Sequence, residues 1–243
     1  MPSPLLPIEI LSIYFDDDHK RKNLPKRMAQ CTPDMKNAVL KVRDDLAARG
    51  IDLFLSDMFR SHDMQLQAHI ENAKKGIFSP LPGGSMHEAG RAFDLDLSAL
   101  LKDHVLSLAD FWEIAAANNL SPIIAQPNAS KSEAWHFDCR GSHGIVRQYY
   151  IDGKGGTKMK PYVAMAASAI LWIGVQVDRF QNQNAARIQS ALIRLGHNLG
   201  PLDGMIGNKT RDAIAAAGIT ATAEPEILAE LEQKLRQTFP EEF

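Results

Sequence analysis

Ser85-Met86-His87-Glu88-Ala89-Gly90-Arg91-Ala92-Phe93-Asp94-Leu95-Asp96-Leu97 is the stretch on which the fold and the chemistry both turn. Before it, Pro80, Pro82, Gly83 and Gly84 interrupt regular structure and predict a loop. Its second half, Ala92 to Leu97, alternates apolar and polar side chains, the period of a half-buried strand. His87 therefore falls in the loop and Asp94 on the strand that the loop feeds. Asp96 lies two residues further, on the face of Asp94. Two readings stay open for it, a carboxylate that orients a ligand or an exposed one.

Upstream, Met35, Val39, Leu40, Val42, Leu46 and Ala47 are spaced for one helical face after Asp34, and Gly50 ends that helix. Ile51 to Ser56 reads as a strand and Gln65 to Lys75 as a helix. Residues 1–32, with four prolines and a charge-rich run from Asp16 to Arg27, read as an irregular lead-in. Downstream, Leu106 to Asn118 predicts a helix, and Pro122 to Ala125 and Ala134 to Asp138 predict short strands. Elements in this order predict an α+β domain, a small mixed sheet flanked by helices, over residues 1–150. Residues 151–182 form a linker and an apolar helix. Pro161 to Val177 carries no charge, so it is read either as a buried helix or as a short membrane span. From Asn184 onward, Gly-rich turns separate three helical stretches, so residues 183–243 predict a small all-helical domain.

Apolar residues make up 45% of the 243, enough for a core without disulfide staples. The net charge of -2 argues against a nucleic-acid partner. His19 to Lys22 and Lys26-Arg27 read as a solvated N-terminal loop, with local basic patches as the other reading. Cys31 and Cys139 form no CxxC pattern, and both a disulfide and two buried thiols remain open. The start, Met-Pro-Ser-Pro-Leu-Leu-Pro-Ile-Glu, lacks the basic end and apolar run of a signal peptide.

His87 and Asp94 are seven residues apart, and Glu133-Ala134-Trp135-His136 follows about forty residues later. Two imidazoles and one carboxylate make a ligand set for a catalytic divalent metal, zinc above all, with a position left open for water. Such a metal acidifies its water and polarises a carbonyl oxygen. A carboxylate that is not a ligand, here Glu133, could carry the proton to a leaving amine.

These residues resemble the zinc D-Ala-D-Ala carboxypeptidase and L-alanyl-D-glutamate endopeptidase family, which includes several phage endolysins. Ser85, His87, Gly90, Ala92 and Asp94 match its Ser-x-His-x-x-Gly-x-Ala-x-Asp pattern, and Glu133, Trp135 and His136 match its Glu-x-Trp-His pattern. The resemblance implies His87, Asp94 and His136 as zinc ligands, Glu133 as catalytic base and Ser85 as a substrate contact. Ser56-Asp57-Met58-Phe59-Arg60-Ser61 is similar to the family's strand ending in Gly-Tyr-Arg-Ser. Arg60 would accordingly hold substrate or polarise its carbonyl, with a surface salt bridge as the other reading. Gln65 falls where the family often carries a Gln and is expected to contact substrate. Trp135 is expected to pack beneath the site. Asp138, His62, His69, His104 and His143 receive no role.

Ile188 to Gly196 followed by Gly200-Pro201-Leu202-Asp203-Gly204 and Gly207-Asn208-Lys209-Thr210 resembles the three-helix peptidoglycan-binding domain. The family's Phe-Gln after the third helix is replaced by Ala217-Gly218. The two resemblances span about 50–145 and 183–235. Together they imply a peptidase that cuts the stem peptide of bacterial peptidoglycan, between L-Ala and D-Glu. D-alanyl-D-alanine carboxypeptidase is the alternative, and a non-catalytic wall-binding protein is the alternative of another class. The expected place of action is the periplasmic cell wall, reached through a holin or a dedicated secretion machine. Membrane contact through residues 161–177 is the minority reading.

Overall fold

A computed structural model describes residues 4–102 and 105–243. His104 and the first three residues of the N-terminal reading lie outside the described residues. The architecture is α+β, as the element order predicts. In chain order the elements are β1 (Leu6–Pro7), β2 (Leu11–Phe15), β3 (Arg21–Asn23), β4 (Gln30–Cys31), α1 (Pro33–Ala47), β5 (Leu55–Asp57) and α2 (His62–Lys74). A 3-10 turn (Met86–Ala89), β6 (Ala92–Leu95), α3 (Leu97–Leu100), α4 (Leu108–Ala117), β7 (Leu120–Pro122) and β8 (His136–Cys139) follow. The remainder is helical: α5 (His143–Ile151), α6 (Pro161–Trp172), α7 (Gln183–Arg194), α8 (Asn208–Ala216) and α9 (Glu224–Thr238).

The chain divides into two compact units, each assembled from separate stretches. One comprises Leu5–Arg60 and Gly90–Arg140 and holds a six-stranded sheet of order β3-β2-β5-β6-β8-β7. The β2–β5 pair is parallel and the other neighbours are antiparallel. Helix α1 buries Met35, Val39, Val42 and Leu46, spaced about one turn apart on one face. It ends as its sequence predicts. Gly50, at φ 74°, donates to the carbonyl of Ala47 at 2.9 Å, and Ile51 donates to that of Leu46 at 3.0 Å.

The lead-in expected over 1–32 is in fact partly sheet. The charge run that reads as solvated loop is a hairpin: Asp16 Oδ1 accepts from the amides of Asp18 and Lys20, and β3 returns beside β2. The local Asx turn gathers the charges at the tip, so they say little about the strands on either side. Pro7 sits in the two-stranded β1–β4 ladder, where a missing amide is tolerated.

Strand β6 departs from the half-buried expectation, for all four of its residues are buried between β5 and β8. It also stops at Leu95. Asp96 turns out of the strand to cap α3, accepting from the Ala99 amide at 3.1 Å, and pairs with Arg21 at 3.2 Å. Neither sequence reading of Asp96 holds. Strands β5, β7 and β8 are likewise shifted from 51–56, 122–125 and 134–138, because the partner register rather than local alternation sets their ends.

Among the described residues the second unit comprises Pro4, Ser61–Ala89 and Gly141–Phe243. Helix α6 spans only 12 residues and is buried from Ala164 to Trp172 against its neighbours, so the buried-helix reading of this apolar stretch holds. No described helix is long and apolar enough to cross a membrane. The predicted Asp203-Gly204 turn is present and is gripped by the buried Gln189. Its Oε1 accepts from the amides of Asp203 and Gly204 at 3.0 and 2.8 Å. Thr210 is buried in the first turn of α8.

Candidate metal centre

Strands β6 and β8 pair so that Asp94 lies opposite His136 and Ala92 opposite Asp138. Side chains alternate across a strand, so Asp94, His136 and Asp138 share one face. Phe93 and Phe137 line the other face, stacked at 5.8 Å, with Phe111 edge-on to Phe137 at 5.0 Å. The aromatic layer anchors the two strands, and the face above it carries Asp94, His136 and Asp138.

On that face His136 Nδ1 lies 2.9 Å from Asp94 Oδ1, and its Nε2 lies 2.9 Å from Asp138 Oδ1. Burial opposes charge on this imidazole, but Asp138 and then Asp94 outweigh it and push its pKa up to about 10. His87 stands in the 3-10 turn on the same continuous segment as Asp94. One ligand atom from each of His87, Asp94 and His136 lies within 4.8 Å of the others, a group that could hold a metal ion. The donor set fits such an ion. With a proton on Nε2 donated to Asp138, the Nδ1 lone pair of His136 is left pointing toward Asp94. This is the hydrogen-bonded histidine arrangement common around bound metals.

Compared with known proteins, no family model and no curated protein matches this chain.

Arg60, at the end of the segment leading from β5, bonds Asp57 Oδ2 at 2.6 Å and Asp94 Oδ2 at 3.2 Å. Asp94 is thus shared, with Oδ2 on Arg60 and Oδ1 toward His136. Burial disfavours the Arg60 charge, yet Asp57 and Asp94, with a smaller contribution from Glu133, raise its pKa further. Glu133 is therefore within electrostatic reach of Arg60. It occupies the turn before β8 at φ 69°, a left-handed conformation that costs a non-glycine residue energy. Strain of this kind gathers at functional positions, and here it sits on the residue expected to move protons. Trp135 is half-buried beside it.

Ser85 and Gln65 are placed differently. Ser85 is buried, and its backbone amide donates to Glu88 Oε2 at 3.2 Å. Gln65, fully buried on α2, donates to Ser79 Oγ at 3.2 Å and to the Pro80 carbonyl at 2.7 Å. Its visible task is to fasten the loop that precedes the metal motif.

Three residues without a role in the sequence reading stand out. Asp138 fixes His136. The buried carboxylate of Glu88 accepts from the amides of Gly83 and Ser85, shaping the loop around His87. Its pKa is raised by burial, against the lowering effect of those amides. Arg91, buried, pairs with Asp34 and donates to the Cys139 carbonyl at 2.9 Å, tying α1 to the end of β8. The signal for Asp138 was present in the sequence: it lies two residues beyond His136, hence on the same strand face.

Proposed function

We propose that this protein is a zinc-dependent peptidoglycan hydrolase that cuts the stem peptide of the bacterial cell wall between L-Ala and D-Glu. The observation that carries this reading is the convergence of ligand atoms from His87, Asp94 and His136, with Arg60 bonded to Asp94 and Glu133 in electrostatic reach of Arg60. His87, Asp94 and His136 would hold the metal, and Asp138 would keep the Nε2 proton of His136 in place.

When bound, the metal supplies Lewis acidity to a water and to the scissile carbonyl. The remaining steps belong to the chain's own groups. Glu133 removes a proton from the attacking water and delivers it to the departing amide nitrogen. Arg60 restrains Asp94 and adds positive charge near the developing oxyanion. Residues 183–243 would act as a wall-binding module that raises the local concentration of substrate bonds. The place of action is then the periplasmic wall.

The test is mass spectrometry of fragments released from purified peptidoglycan by wild type and by Glu133→Ala. Free peptides beginning at D-Glu, released by wild type alone, are the expected result. Loss of one terminal alanine would assign D-alanyl-D-alanine carboxypeptidase instead. Sedimentation with the wall and no release from either protein would replace catalysis with a binding role.

A further inference from the structure

We propose that the loop 76–81, together with the lysines around it, is a docking surface for an anionic lipid membrane. Ile77, Phe78 and Leu81 are 41%, 75% and 61% exposed, three large apolar side chains within five residues. Leu66 and Ile70, one turn apart on α2, add further exposed apolar surface. The loop is held in this state. Ser79, between the exposed residues, is buried, and its carbonyl meets His69 Nδ1 at 2.7 Å, while Gln65 binds Ser79 and Pro80 from the next turn of α2. The centre of the loop is fastened inward while its apolar side chains point outward. Grouped apolar exposure of this kind marks an interaction site more often than scattered exposure does.

Charge selects the partner. Between Asn72 and His87, and again between Gly153 and Val177, the chain carries no carboxylate. The same stretches supply the exposed Lys74, Lys75, Lys158 and Lys160, and the Lys160 ammonium stands 5.8 Å from the Phe78 ring. Gly84 approaches Val163, so the loop and the start of α6 are neighbours within this unit. Isoleucine, leucine and phenylalanine side chains have no hydrogen-bonding tips with which to read a sugar or a polar peptide, but they gain free energy in an acyl layer. Lysines placed around them meet lipid phosphates while their stems lie along the apolar surface. The contact is interfacial and lies outside the buried apolar stretch of α6.

The experiment is co-sedimentation of the full chain with phosphatidylcholine vesicles, with and without about 30% phosphatidylglycerol, near 0.1 M salt. Wild type is expected to bind the anionic vesicles. Phe78→Ser/Leu81→Ser should weaken that binding roughly ten-fold or more without lowering the melting temperature, since both positions are exposed. Lys74→Gln/Lys75→Gln should weaken binding to the anionic vesicles by a similar factor. No binding by wild type, or binding untouched by the apolar double variant, overturns the proposal. Vesicles ignored while the apolar variant loses binding to purified sacculi would overturn it in favour of a wall contact. This proposal does not depend on the hydrolase reading, since vesicle binding is measured without turnover.

Discussion

His136 is held at both ring nitrogens, by Asp94 at Nδ1 and by Asp138 at Nε2, and the two carboxylates have different consequences. Asp94 belongs to the group that could hold a metal ion, whereas Asp138 would keep the Nε2 proton on a neutral, metal-bound ring. Asp138→Asn keeps the volume but weakens the acceptor for the Nε2 proton. We expect metal affinity to fall about 10- to 100-fold, measured by competition with a chromogenic chelator; unchanged affinity would remove Asp138 from the site. A pH dependence follows as well. In metal-free protein the pKa of His136 is raised to about 10, above the ordinary histidine value of about 6.5. A raised pKa contributes stability that is fully present below the unfolded value and is lost as pH rises through the folded one. Chelator-treated protein should therefore lose stability to urea between about pH 6.5 and 10, and Asp138→Asn should flatten that slope. Metal binding requires the extra proton to leave, so affinity should rise with pH over the same window. A urea midpoint constant across that range would contradict the charged, doubly bonded imidazole.

The elements bearing the site are short, and their legibility in sequence was uneven for that reason. Helix α1 was readable because 15 residues give the apolar period several turns to repeat. Strands β5 and β7, three residues each, offer no such repetition, and pairing with neighbours decides where they begin. His87, Asp94 and His136, the group that could hold a metal ion, were singled out through spacing and resemblance. Glu88 and Arg91 were not, because their value lies on a loop that has yet to be formed or in partners distant in sequence, whereas Asp138 stands two residues beyond its partner His136 and was open to a reading by strand face. Gly90 shows what a motif glycine means physically. Its φ is 62°, and a Cβ there would lie 2.7 Å from Leu5 Cδ2 and 3.0 Å from Cys31 Cα. Its carbonyl also accepts from Thr32, binding the turn before β6 to the start of α1. Gly90→Ala should cost about 2 to 3 kcal/mol in urea unfolding through strain and overpacking. A loss below about 0.5 kcal/mol would mean that Leu5 and the turn relax freely.

At the scale of the whole chain, residues near the C-terminus help close the helical unit. In Pro240-Glu241-Glu242-Phe243, a stretch with two acidic residues, Glu242 is only 1% exposed. Its carboxylate accepts from the Ser142 amide at 2.5 Å, from Ser142 Oγ at 3.0 Å and from Arg194 Nη2 at 2.5 Å. Arg194 in turn donates to Ser142 Oγ at 2.7 Å and lies over the Trp172 ring at 5.1 Å. The tail thereby joins the start of α5, the end of α7 and the buried aromatic of α6. Taking both charges from water is costly, and the pair is sustained only while its hydrogen bonds are complete. Glu242→Ala leaves Arg194 buried without that anion, so we expect a loss of about 3 to 5 kcal/mol in urea unfolding, and deletion of residues 240–243 should cost at least as much. Arg194→Leu/Glu242→Leu removes both charges together and should recover most of that loss, since an apolar pair carries no desolvation debt. If Glu242→Ala unfolds like wild type, the tail is not a clasp and Arg194 has another anion or solvent to meet. If the double variant is no more stable than Glu242→Ala, then shape and the bonds to Ser142, rather than the buried charge, hold these helices together.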